Sequence, residues 1–410
     1  MKTPKRGIAL TVALSGALVA ACSTPTSESA TTGASATTPT QAAAEVSAAE
    51  PRLALTYDGG VQIVDATDLT VVDDIPLDGF TRLAAAGDGR HVVISTEGGF
   101  RVLDTGSWSD THGDHRHHYA GPAVLTDTLF DAGKPGHVVA HADTTALFDD
   151  ATGRVEFIDP ADLTAAEHLP ETETYTAEEA HHGVAVALAD GRILVTLGDS
   201  ENRTGVVLLD ENRHEVVRTE ECPGVHGEAV AEEETIIFGC QDGMMIYRNG
   251  TFTKATSPDE YGRIGNHAGS PASPVVLGDY KTDPDADLER PEVVALVDTR
   301  TAETRLVDLG TSYTFRSLGR GPDGEAIVLG TDGALHVLDP ASGTIARRIE
   351  VLAPWVEPEE WQAPRPALLV NGGTAYVTDP ATDSLHAVDL ESGGIRTGSL
   401  PHTPNEISAT

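Results

Sequence analysis

The sequence predicts an all-β chain folded as a single β-propeller, and three observations carry that prediction. First, a phrase of two apolar residues, an aspartate and a polar turn appears seven times, as IVDATDLT, VLDTGSW, FIDPADLT, LLDENRH, LVDTRTAET, VLDPASGT and AVDLESGG. Its aspartates are Asp65, Asp104, Asp159, Asp210, Asp298, Asp339 and Asp389, spaced 39 to 55 residues apart, with one double gap of 88 between Asp210 and Asp298. In that gap MIYRNGTF, around Arg248, supplies an eighth unit with an Asn-Gly turn in place of the aspartate. Second, short β-rich runs precede each phrase and are joined by Gly or Asp-Gly turns, as in LAAAGDGRHVVISTEGGFRVLD, VAVALADGRILVTLGDS and AIVLGTDGALHVLD. Their alternation has period two. Third, no helical periodicity runs through the chain. Short strands with a repeat of about 40 to 50 residues are the signature of propeller blades.

From the N-terminus, residues 1–21 pair a basic start (Lys2, Lys5, Arg6) with a short apolar run, and read as a signal peptide. Val19-Ala20-Ala21-Cys22 resembles a bacterial lipobox, which implies lipidation of Cys22. Residues 22–50 are rich in Ser, Thr, Ala and Pro and cannot bury a core, so a disordered tether is expected there. Residues 51–410 form the propeller domain, expected as a monomer lipid-anchored to the outer face of the cell membrane. RLALTYDGGVQIVD lacks a leading strand and PNEISAT is a strand without a blade. Pairing them closes the ring and removes a free edge. Eight blades are expected, or seven if the first unit is a half-blade.

The second unit carries THGDHRHHY between its third and fourth strands, an expected exposed loop with His112, Asp114, His115, His117 and His118. The next four units each place a histidine near the start of the first strand. These are PGHVVAH (His137, His141), EEAHHGVAV (His181, His182), CPGVHGEAV (His226, with Glu228) and IGNHAGSP (His267). Units seven and eight have Arg316 and Arg365 nearby instead. Strand starts face the central channel, so these imidazoles converge on one point, a donor set suited to Zn²⁺, with Cu²⁺ next. Glu228 or Asp143 could add a carboxylate. Of the adjacent pair His181 and His182 only one can face the channel, and His182 is preferred. His137 is better placed at the mouth than His141, four residues along the strand.

Only Cys222 and Cys240 follow Cys22. In an oxidising compartment they are expected as a disulfide bracing the segment that delivers His226. The formal charge of −37 repels nucleic acid and anionic lipid and attracts cations. The sequence has no HExxH, nucleophile elbow or phosphate loop.

CPGVHGEA, FGCQDG, GNHAGSP followed by GDYK, and HGDHRHH resemble the AztD family of extracytoplasmic zinc-binding propellers across most of residues 50–410. The resemblance implies a non-enzymatic metallochaperone that passes Zn²⁺ to the solute-binding protein of a zinc ABC importer. It places His226 in a central zinc region and the His112–His118 segment in a flexible second site. The alternatives are a metal-dependent propeller hydrolase or lactonase, with Glu228 as base, and a propeller that docks proteins without a metal.

Overall fold

The computed structural model describes residues 43–165 and 169–410. The leader, Cys22 and most of the 22–50 segment lie outside these. No helix among the described residues is long and apolar enough to cross a membrane.

The described residues are all-β: eight four-stranded antiparallel sheets follow one another, with a ninth, three-stranded sheet inserted in the second. The first strands of sheets two to eight are Arg82–Ala85, Pro135–His141, Ala185–Ala187, His226–Ala231, His267–Ser270, Leu318–Arg320 and Leu368–Asn371. The first sheet takes its leading strand from the far end of the sequence: Ile407–Ala409 pairs with Arg52–Tyr57 through Leu53–Ala409 and Leu55–Ile407. MIYRNGTF forms the third and fourth strands of the fifth sheet, with Asn249 (φ 49°) and Gly250 (φ 82°) at the turn. Two positive φ values in a row suit the right-handed twist of the hairpin.

The repeated aspartate has a local task. The carboxylates of Asp65, Asp210 and Asp298 each accept the backbone N–H two residues on, holding the turn between third and fourth strands. Sheet-on-sheet packing explains the apolar pattern. Middle strands such as Gly60–Asp65 and Thr235–Cys240 are buried along nearly their whole length. Fourth strands such as Val71–Pro76 alternate half-buried with exposed. Opposite faces of one strand serve two interfaces. Leu53 and Leu55 pack with Tyr376 and Leu385 of the eighth sheet, while Ala54, Val61 and Ile63 pack with Val92 and Ile94 of the second. Comparable clusters fill the spaces between successive sheets up to the eighth.

Two expectations are corrected. THGDHRHHY is not an irregular loop. Ser107–His112 and His115–Ala120 pair antiparallel across a tight turn, with Gly113 at φ +63°. The expected tether ends early, because Ala44–Val46 adds a third strand to that hairpin through Glu45–Tyr119 and Val46–His118. The base is pinned: Trp108 stacks on Tyr119, and the Arg90 guanidinium lies 3.6 Å over Trp108.

Candidate metal centre

Four first strands present histidines at one end of the sheets. His137 lies on Pro135–His141, His182 just ahead of Ala185–Ala187, His226 at the start of His226–Ala231 and His267 at the start of His267–Ser270. The strands carrying His137, His226 and His267 each have a register shift at or just beyond the histidine. A bulge of this kind re-aims a side chain that regular pleating would send elsewhere. The rings of His137, His182 and His226 stand 4.9, 5.3 and 5.2 Å apart, centre to centre. Each offers a nitrogen within 4.8 Å of the other two.

Two of the rings are held in one tautomer. His226 Nδ1 donates to the Gly265 carbonyl at 2.7 Å, and a carbonyl can only accept. Gly265 is itself fixed by Asp279, whose carboxylate takes the Gly265 and Asn266 N–H groups. His182 Nδ1 bonds the buried Asp150 carboxylate at 2.7 Å. Both Nε2 lone pairs are thereby free for a metal, the arrangement that orients metal-binding imidazoles generally. Gly136 leaves room for this, since a Cβ there would sit 2.2 Å from Asp150 Oδ1.

The electrostatics favour neutral rings. Burial drives the His137 pKa well below the ordinary imidazole value, and His226, His182 and Arg82 push it further the same way. Burial lowers His226 to about 3, against the opposing Gly265 bond. Neutral imidazole is the form that binds metal. Glu228 lies 3.8 Å from His137 Nδ1, and burial raises its carboxyl to about 8. His267 lines the same small cavity as His137, His226 and Glu228, and its Nε2 is buried without a partner. An unpartnered buried nitrogen beside three converging imidazoles fits a cation there, because leaving it unmade is costly.

No protein-family model matches the chain. A crystal structure of AztD from Citrobacter koseri matches it with TM-score 0.77 and 22% identity, covering 88% of this chain and 98% of that one. The chain is AztD-like in fold. Apo AztD from the same organism gives TM-score 0.75 at 22% identity over the same shares of the two chains. The dihydro-heme d1 dehydrogenase NirN matches more distantly, with TM-score 0.54 and 14% identity over 87% of this chain and 74% of that one. At these identities the likeness is one of fold.

Within the AztD-like frame, two expected ligands stand apart. His181 is buried, with Nδ1 on the Glu179 carbonyl, Nε2 on Thr196 Oγ1 and its ring edge-on to Phe148, so both nitrogens are satisfied. His141 ends its strand at the Ala142–Asp143 turn and meets Glu234 at 3.2 Å. Cys222 and Cys240 are bonded, as expected.

The hairpin divides its histidines by pleat. His112 and His115 are cross-strand partners, and His115 and His117 share a face. His118 points to the other face and bonds Ser109. Nε2 of His115 and Nε2 of His117 are 3.0 Å apart, while their Nδ1 atoms meet Asp114 and Glu45 at 3.2 and 2.7 Å. Two ring nitrogens so placed need a proton or a cation between them.

Sequence reading missed Asp150, Gly265 and Glu45. Asp150 and Gly265 act across 32 and 39 residues, and Glu45 lay in the expected tether. Asp150→Asn is expected to weaken zinc binding by about 10- to 100-fold, the usual cost of losing such a partner. Competition against a chromophoric chelator measures it, and unchanged affinity would remove Asp150 from the site.

Proposed function

We propose that the protein holds Zn²⁺ at His137, His182 and His226, with Glu228 and His267 beside them, and hands it to the solute-binding protein of a zinc ABC importer. The convergence of three imidazoles, two of them with Nδ1 tied down and Nε2 free, carries this reading. Likeness in fold to AztD supports it. The role is holding and transfer, without catalysis. It is performed on the outer face of a cell membrane, where lipidation of Cys22 would retain the protein.

In this reading the two histidine clusters differ in task. The central rings are half-buried and preset, which favours tight binding and slow release. His112 and His115 stand exposed on a hairpin with the half-buried His117 beside them, where Asp114 and Glu45 steady the rings and ligands can exchange one at a time.

The test is a zinc titration of the purified protein beside a His112→Ala/His115→Ala/His117→Ala variant. Tight zinc is expected in both, with slower transfer from the variant to a solute-binding protein. Absence of tight zinc from both would end the chaperone reading.

A further inference from the structure

A cavity of about 460 Å³ opens beside the three imidazoles. His137 and His182 lie on its wall, together with Asp150, Arg82, Lys134 and Trp361. Its charge runs against the balance of the sequence as a whole. The chain has 64 acidic residues against 27 Lys and Arg, yet here two cations face one carboxylate. That carboxylate, Asp150, is already engaged by His182 and lies 3.6 Å from the Lys134 ammonium.

Arg82 is poorly neutralised. Its Nε donates to Glu406 Oε1 at 2.9 Å, but the same oxygen takes Arg316 at 3.0 Å. One carboxylate thus serves two guanidiniums. The terminal nitrogens of Arg82 donate to no group among the described residues, and its side chain is 55% exposed. Arg82 is close enough to His137 to help lower its pKa.

Cations placed next to a seat for a doubly charged cation are a conflict, since like charges at such range repel. A bound anion resolves it. We infer that this cavity takes a small oxyanion, with one oxygen on the metal held by His137, His182 and His226 and the others on Arg82 and Lys134. The inference rests on the three-histidine metal reading and specifies how the metal is held. Three protein ligands leave the fourth position of a tetrahedral zinc to an outside ligand. Guanidinium is the side chain best shaped for an oxyanion. The volume exceeds what a metal-bound water needs, at about 30 Å³ per water. It lies within the range of small-molecule sites. Glu228 and His267 line a different cavity, which shares only His137 with this one.

Cobalt reports the inner ligands through its visible bands. The purified protein, saturated with Co²⁺, is titrated with succinate and, separately, with phosphate. Both are oxyanions, and the tighter of the two identifies carboxylate or phosphate chemistry. A saturable change in the bands is expected. In Arg82→Gln at saturating Co²⁺ the anion dissociation constant should rise by about tenfold or more, the loss of one charge-assisted contact. Arg82→Lys keeps the charge and should recover part of it, which separates lost charge from a disturbed fold. Bands indifferent to both anions, or an Arg82→Gln protein that binds them as tightly, overturn the anion site and leave the metal site standing. Failure to form cobalt bands at all overturns both.

Discussion

His226→Ala is expected to lower zinc affinity by about a hundred- to a thousandfold, since the binding free energy of a zinc site is spread over few ligands. His137→Ala and His182→Ala should do the same. His181→Ala and His141→Ala should not, because those rings are bonded elsewhere. The pH dependence gives a second check, and its sign follows from the shifts. His137 and His226 are depressed, His226 to about 3, so they hold no proton for zinc to displace near neutrality. Glu228, raised to about 8, does hold one. A doubly charged ion beside it forces ionisation, so binding near pH 7 should release about one proton. Zinc affinity should therefore climb with pH up to about 8 and level off above it. Calorimetry in buffers of different ionisation enthalpy counts that proton, and Glu228→Gln should abolish the release. A wild-type protein that releases none would take Glu228 away from the metal.

Cys222→Ser/Cys240→Ser is expected to lower folding stability by about 3 kcal/mol, the chain-entropy value for a loop of this length. The bond joins residues 18 apart. It ties the segment leading into His226 to the second strand of the same sheet, and backbone bonds from Cys222 to Thr204 and from Gly224 to Arg203 tie it to the fourth sheet. Those bonds survive the substitution, so zinc affinity should fall far less than stability does. Urea denaturation with and without zinc separates the two. Equal losses would mean that the bridge, and not the backbone, sets the position of His226.

The fold was legible because its rule is local. An aspartate that caps a turn must recur wherever the turn recurs, and eight sheets write it seven times, with Asn249-Gly250 as the variant. The histidines were legible as a group for the same reason: equivalent blade positions share a direction. Individual ligands were harder to read. His181 and His182 are neighbours, and their fates depend on Thr196 and Asp150, residues that the pattern of one strand does not contain. The bulges at His137, His226 and His267 leave no mark in the alternation. The hairpin was misread because its polar residues resemble a loop. Its order comes from Trp108, Tyr119 and a third strand drawn from a segment without apolar bulk.

The joining of Ile407–Ala409 to Arg52–Tyr57 also sets a schedule. The three converging histidines fall between residues 137 and 226, and each neighbouring sheet is complete soon after its own segment appears. The first sheet must wait for the last residues of the chain, some 350 positions later. From residue 226 onward the three histidines are all present while the edge of Arg52–Tyr57 still lies bare. An exposed strand edge invites pairing with other chains. The vulnerable stage of this fold is therefore its assembly, before Ile407–Ala409 covers the edge of Arg52–Tyr57.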